Sequence, residues 1–335
     1  RVGDILLVLN AVAGRPKILT LNAGTGRPIT LFGVSLADYC VSAVRPGGLA
    51  VVGSGGLRRT IDTSSGFLQR ADNRYSGLCP TVTKDRLYTL HAGALHADPS
   101  LSEEGWEINV PEPTNGRTNW TATDDTLFVV GEKTSAPDLR AYSSDGERLW
   151  VTPVPFTHGF PGLPSGLLVA GETVLIAAEN GIHAFDTATG RPRWQAHTVV
   201  SEFTPALAGS VVVATSGLPS SETMLHGVDL DSGWVRWRVT LDRETFVSAV
   251  DAQGIYAIAA NSPWHRAKEE HLTALDPATG RERWRLRHGL QNLAAANGRL
   301  YATAGNRFII LNPATGQSAI AQNVSRARPC GLCRP

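Results

Sequence analysis

Lysine is nearly missing from this chain: it occurs only at positions 17, 84, 133 and 268, and arginine carries the rest of the basic charge. Basic and acidic residues almost cancel, 31 against 30, for a net charge of +1. That balance gives no electrostatic case for a nucleic-acid partner, and the cluster Leu57-Arg58-Arg59 is too short to make one. No apolar run approaches the roughly 20 residues of a membrane-crossing helix. The sequence opens in a strand-like run without a leader pattern. Cysteine is confined to Cys40, Cys79, Cys330 and Cys333. The last two have the spacing of half a zinc site, but no second pair completes it, so no metal is expected. No Gly-x-Ser-x-Gly elbow is present. Gly53-Ser54-Gly55-Gly56 lacks the helix and lysine of a phosphate cradle.

What the sequence has in quantity is turns, with 34 glycines and 20 prolines, and a repeated hairpin. In His271 to Trp284, HLTALDPATGRERW, an apolar alternation runs into Asp276, a Pro-Ala-Thr-Gly turn follows, and Trp284 lies eight residues beyond the Asp. The Asp carboxylate can accept turn N–H groups, Gly280 can adopt positive φ, and Trp284 gives the returning strand an apolar body to bury. The Asp position recurs at Asn22, Asp62, Asp98, Tyr142, Asp186, Asp229, Asp276 and Asn312. The fourth residue after each is Gly26, Gly66, Ser102, Gly146, Gly190, Gly233, Gly280 and Gly316. The eighth is Thr30, Arg70, Trp106, Trp150, Trp194, Trp237, Trp284 and Ile320. Intervals of this length suit four-stranded propeller blades.

The expected architecture is therefore all-β: an eight-bladed β-propeller of four-stranded antiparallel blades occupying residues 1–328 as one domain. Four strands are expected in the seventh repeat, Phe246 to Val250, Ile255 to Ala260, His271 to Asp276 and Arg283 to Leu286. The first repeat shows only three, beginning with Asp4 to Asn10, so its innermost strand is expected from the C-terminal segment, roughly Ala319 to Cys333. Pairing of the two termini would close the ring and remove an open edge. Residues 329–335 are then either the start of that strand or a cysteine-containing tail.

The pattern Ala184-Phe185-Asp186-Thr187-Ala188-Thr189-Gly190 to Trp194, seen again from Ala274 to Trp284, resembles the tryptophan-docking repeat of the pyrroloquinoline-quinone-type eight-bladed propellers. The resemblance spans nearly the whole chain and implies that Trp106, Trp150, Trp194, Trp237 and Trp284 dock blade against blade. The superfamily includes quinoprotein alcohol dehydrogenases, non-catalytic scaffolds such as the lipoprotein of the outer-membrane assembly machinery, and kinase-linked sensors. The dehydrogenases hold their quinone under a disulfide of adjacent cysteines, beside a calcium site of Glu, Asn and Asp. This chain has no adjacent cysteines, so neither that quinone nor another cofactor is expected. The resemblance describes how blades dock and leaves the activity open.

In such a fold the inner-strand entrances and the second-to-third connections gather at one channel mouth. The longest connections are residues 131–138, 216–224 and 261–270. The last places Trp264, His265 and Arg266 together: a stacking face, a titratable ring and a forked cation. Cys40 and Cys79 begin neighbouring inner strands, where all four cysteines could meet only if the tail folded back. One reading is a non-catalytic recognition module, monomeric, that binds a small molecule, peptide or protein through Trp120, His158, Phe203, Trp264, His265 and Arg266. The alternative is an isomerase, lyase or cyclase at the same mouth, with His158 or His265 as acid/base and Tyr39 or Glu202 assisting. The other histidines near third strands, His183, His226 and His271, are expected to pack or face solvent. The arginine-rich composition points to a bacterial source of high GC content and leaves the compartment open.

Overall fold

In a computed structural model of the chain, the residues described are 5–12, 15–22, 28–33, 40–44, 49–54, 57–62, 68–72, 81–83, 86–91, 94–99, 106–109, 119–132, 137–155, 166–178, 180–198, 205–216, 224–241, 245–259, 270–287, 290, 292–296, 298–304 and 307–323. All regular structure among them is β. The strands form eight antiparallel sheets, the first of three strands and the rest of four, each following chain order. Sheet one holds β1 Ile5–Val12, β2 Arg15–Asn22 and β3 Pro28–Gly33. Sheet two holds β4 Cys40–Val44, β5 Leu49–Ser54, β6 Leu57–Asp62 and β7 Leu68–Asp72. Sheet three is β8 Thr81–Val82, β9 Arg86–His91, β10 Ala94–Pro99 and β11 Trp106–Asn109. Sheet four is β12 Asn119–Ala122, β13 Thr126–Glu132, β14 Pro137–Ser143 and β15 Arg148–Pro153. Sheet five is β16 Gly166–Ala170, β17 Thr173–Ala178, β18 Gly181–Asp186 and β19 Pro192–Ala196. Sheet six is β20 Ala206–Ala208, β21 Val211–Ser216, β22 Met224–Asp229 and β23 Val235–Thr240. Sheet seven is β24 Thr245–Asp251, β25 Gly254–Ala259, β26 His271–Leu275 and β27 Glu282–Arg287. Sheet eight is β28 Asn292–Ala296, β29 Arg299–Ala304, β30 Arg307–Leu311 and β31 Ser318–Asn323.

The chain clusters into two compact units, one of residues 1–135, 140–151 and 324–335, the other of 136–139 and 152–323. In the second unit, β17, β21 and β25 are buried along their whole length. Side chains alternate across a strand, so a strand sandwiched between two sheets must be apolar at every position. Val212 and Ala214 pack with Leu175, Ala177 and Ile182 of sheet five. Their neighbours Val211 and Val213 turn the other way and pack with Ile255, Ala257 and Leu275 of sheet seven. Tyr256, Ile258 and Leu272 continue the series against Leu300, Ala302 and Ile309 of sheet eight. The first unit repeats it where Tyr88 and Leu95 meet Leu127, Val129 and Tyr142.

The expected three-stranded first repeat is present as β1 to β3. The segment assigned to closing it is partly used elsewhere. Residues 318–323 return along β30 as the outer strand of sheet eight, with Ile310 opposite Ile320, because Asn312 to Gly316 completes a hairpin turn. Residues 324–335 lie outside the described residues.

Candidate functional site

Each four-stranded sheet has one end at which its first and second strands and its third and fourth strands are joined. In sheets five to seven the repeated Asp sits at that end and organises it. Asp186 Oδ1 accepts from Ala188 N–H at 3.1 Å, Thr189 N–H at 2.9 Å and Thr189 Oγ1 at 2.8 Å. Its other oxygen accepts from Arg193 Nη2 at 2.7 Å. Arg193 also donates to Thr173 Oγ1 at 2.9 Å and Glu172 Oε2 at 3.2 Å, so one guanidinium ties the outer strand to both turns. Asp229 is held likewise by Ser232 and Arg236, and Asp276 by Thr279 and Arg283. Arg236 reaches Ser210 Oγ, and Arg283 reaches the carbonyl of Gln253. These donors favour the ionised carboxylate. The Arg193 bond, followed by those of Thr189, lowers Asp186 to about 2; Ser232 first and then Arg236 bring Asp229 to about 2; Arg283 leads the lowering at Asp276.

The same turns receive the tryptophan of the preceding sheet. Trp194 Nε1 donates to Leu230 O at 2.9 Å, Trp237 Nε1 to Pro277 O at 2.8 Å, and Trp284 Nε1 to Pro313 O at 2.9 Å. The rings lie flat on the turn glycines. A Cβ on Gly233 would stand 2.6 Å from the Trp194 ring, on Gly280 2.7 Å from Trp237, and on Gly316 2.9 Å from Trp284. Positive φ of 70° to 74° at these glycines is thus a second requirement beside the close approach. In sheet four, Trp150 packs on Phe128 with centroids 5.9 Å apart. Only the strand position of Trp106 is described.

The opposite end of each sheet carries the connection between second and third strands. In sheet five it is a tight turn, since Ala178 pairs with Gly181. In sheet six the paired ends Ser216 and Met224 are separated by residues 217–223, and in sheet seven Ala259 and His271 are separated by residues 260–270. Buried histidines stand at this end. His183 Nε2 is 2.8 Å from Asn180 Oδ1, and Asn180 Nδ2 donates to Pro155 O at 3.1 Å, which fixes the amide so that His183 carries its proton on Nε2. Burial first, and His197 second, lower His183 to about 4. His226 Nε2 lies 2.8 Å from Ser216 Oγ, and burial, with Arg238 second, lowers its pKa too. His271 is 7% exposed. These three rings are packed groups, and the neutral pairs support the bases of the connections.

Of the residues assigned to a mouth by sequence, Tyr39, His158, Glu202, Phe203, Trp264, His265 and Arg266 lie outside the described residues, as do Cys79, Cys330 and Cys333; Cys40 is described only as the first residue of β4. Trp120, on β12, packs beside Tyr88, Leu95 and Leu127, and its indole N–H has no partner among the described residues. Among the described residues no three His, Cys, Asp or Glu gather as metal ligands, and no helix is long and apolar enough to cross a membrane.

A groove of about 650 Å³ that no sequence pattern announced runs between β19 and β23. It is lined by Gln195, His197, Ser232, Trp234, Arg236 and Arg238 among others. Trp234, on the β22–β23 turn, is 78% exposed. The available signal was weak: five residues after the Asp position, other copies carry Arg27, Glu103, Glu147, Arg191, Arg281 and Gln317, but the second copy also carries an aromatic, Phe67.

The family profile described as outer membrane protein assembly factor BamB matches residues 75–261 and 268–328, well over half of the sequence. Among solved structures, BamB from Moraxella catarrhalis aligns with a TM-score of 0.63 at 16% identity, covering 90% of this chain and 97% of that one. Apo AztD from Citrobacter koseri aligns with a TM-score of 0.67 at 14% identity, covering 97% and 95%. Dihydro-heme d1 dehydrogenase NirN, in complex with DHE, gives 0.67 at 12% identity over 96% of this chain and 73% of that one. At these identities the likeness shows the fold, a β-propeller of four-stranded antiparallel blades. No curated protein matches the sequence significantly.

Proposed function

We propose that this chain, which belongs to the family described as outer membrane protein assembly factor BamB, is a non-catalytic binding propeller that holds a partner protein. The finer reading locates capture at the mouth end of the second unit, on the connections 217–223 and 260–270. The observation that supports it is where the repeat lengthens. Tight turns join the second and third strands of sheets two, three, five and eight, and the first two strands of three-stranded sheet one, where Ser54 pairs with Leu57, His91 with Ala94, Ala178 with Gly181, Ala304 with Arg307 and Val12 with Arg15. Sheet four departs modestly, with residues 133–136 between β13 and β14, while sheets six and seven hold the two longest connections at adjacent positions, as loops grafted on a rigid frame do when they carry recognition. Trp264, His265 and Arg266 supply the ring and cation, and Phe203 and His158 are assigned to the same mouth from the sequence. In partner capture an aromatic residue and an arginine are the side chains that most often dominate the binding energy.

Replacing 260–270 by a two-residue turn tests this. The expected result is a chain that melts within a few degrees of the parent and no longer co-purifies with its partner from the native host. The double variant Trp264→Ala/His265→Ala should do the same. Unchanged co-purification with either variant overturns the site.

A further inference from the structure

We propose a second interaction surface, distinct from the mouth: the groove between β19 and β23 binds an extended, acidic peptide segment of a partner protein, with Trp234 as its apolar platform and Arg238 as its carboxylate fork. Trp234 is not needed by the fold. Its backbone carbonyl accepts from Asp229 N–H at 2.8 Å and its N–H donates to Ser232 Oγ at 3.4 Å, bonds that any side chain at this position would leave intact. The equivalent position is polar or charged in six of the other seven copies, Arg27, Glu103, Glu147, Arg191, Arg281 and Gln317, and is Phe67 in the second. An indole 78% exposed at such a site buries little of its surface against the described residues.

Charge and edge decide what covers it. The groove lining includes Arg236, Arg238 and His197 and no carboxylate. The guanidinium of Arg236 is committed to Asp229, whereas exposed Arg238 has no carboxylate partner among the described residues, leaving five donors for a carboxylate. β23 is the outer strand of its sheet, so one row of its backbone N–H and C=O groups pairs with no described strand. A segment laid along such an edge bonds through its main chain and is selected through alternate side chains. Residues 234 and 238 are separated along β23 by about four strand residues, roughly 13 Å. The fitting segment therefore carries an aromatic or aliphatic residue and an Asp or Glu about that far apart. A polyphosphate backbone fits less well, because one free fork offers a single phosphate contact.

Fluorescence anisotropy with a labelled peptide of alternating Glu and Val containing one Phe tests the proposal on the full chain. Its Glu→Gln and Glu→Lys counterparts are the controls. The parent should bind the acidic peptide and discriminate against both controls, and Trp234→Ala and Arg238→Gln should each weaken binding about tenfold. Trp234→Arg, which installs the residue found at positions 191 and 281, should fold like the parent and still lose binding, because the platform is gone while positive charge rises. Absence of binding to the acidic peptide, equal binding of the Gln peptide, or undiminished binding by Trp234→Arg overturns the proposal. So does concentration-dependent self-association, in sedimentation, that Trp234→Arg abolishes, since the occupant would then be a second copy. Loss of the connection 260–270 leaves this binding unchanged, which separates its failure from failure of the mouth.

Discussion

Sheets four and six are built on the same hairpin and solve its turn differently. In sheet six Asp229 caps the turn and Arg236, seven residues on, locks the carboxylate. In sheet four the Asp position is Tyr142, which is buried, and the cap moves one residue along. Ser143 Oγ accepts from Asp145 N–H at 3.3 Å and Glu147 N–H at 3.2 Å, and the turn tightens, with Gly146 N–H donating to Ser143 O at 3.0 Å. With no carboxylate to hold, the arginine is gone as well: Leu149 and Val151 occupy the outward positions of β15, 52% and 48% exposed. In sheets five to seven Asp and Arg thus act as one device, whereas Asp62 and Asp98 are followed at that distance by Gln69 and Gly105. Asp186 with Arg193 and Asp276 with Arg283 obey the same pairing, and Asn312 is followed at that distance by Ala319.

The largest expected effect tests whether docking differs between the two sheets. Trp237 is 8% exposed, lies over Gly227 and is bonded to Pro277 O. Trp237→Ala should lower unfolding free energy by about 3–5 kcal/mol in urea titration. Trp150, only partly buried, should lose less on the same change. Equal losses would mean that the sheets dock alike.

Next is acid. Sheets five and six place His183 and His226 three residues before the Asp, where sheet four has Leu139. The folded chain keeps His183 neutral down to about 4, against 6.5 for a free ring, so between those values the unfolded chain binds the additional proton. Stability therefore falls as pH drops from 6.5 to 4, by on the order of 3 kcal/mol from this group. His183→Gln preserves a donor to Asn180 and should flatten that limb; an unchanged pH slope would show that the ring is not desolvated. Below this window the sign is the same for Asp186 and Asp229: folded values near 2 against 3.8 mean stability lost only as pH falls from 3.8 toward 2.

Glycine separates indole contact from backbone strain. Gly280 and Gly209 both have positive φ, 70° and 63°, but a Cβ on Gly280 meets Trp237 while one on Gly209 meets nothing within 4 Å. Gly209→Ala should cost about 1 kcal/mol, and Gly280→Ala about 2 kcal/mol more, as the ring is displaced. Equal Tm shifts would remove the close approach as a design feature.

Most of the architecture was legible because apolar alternation, turn chemistry and tryptophan spacing agree within each repeat. The seventh repeat shows it, with expected strands matching β24 to β27 within one or two residues. The arginine staple was equally present in the sequence at seven residues past Asp186, Asp229 and Asp276, but a template drawn from turn and indole gave no reason to look there. The displaced cap at Ser143 was illegible, since losing one turn residue depends on register and not on residue type. Trp234 was legible only as a departure from the repeat, because exposure is a property of the assembled edge. The expected mouth draws its side chains from separate repeats, so no spacing within one repeat reports on their meeting, and all of them but Trp120 lie outside the described residues.

The smallest effect on stability carries the most information about the outer edges. Leu149→Arg with Val151→Arg gives β15 the chemistry of β23, and substitutions of half-exposed side chains on an outer strand should change unfolding free energy by no more than about 0.5 kcal/mol. The converse, Arg236→Leu, strips Asp229 of its guanidinium and should cost up to about 1 kcal/mol, the range of a surface ion pair. If both hold, the arginines of sheets five to seven serve the turns and discourage edge pairing, whereas the apolar edge of sheet four is free to pair with another strand. Light scattering of the concentrated protein reads that freedom: the double arginine variant should associate less than the parent. A loss above about 1 kcal/mol in that variant would show instead that Leu149 and Val151 are packed, and the two edges would differ in burial and not in purpose.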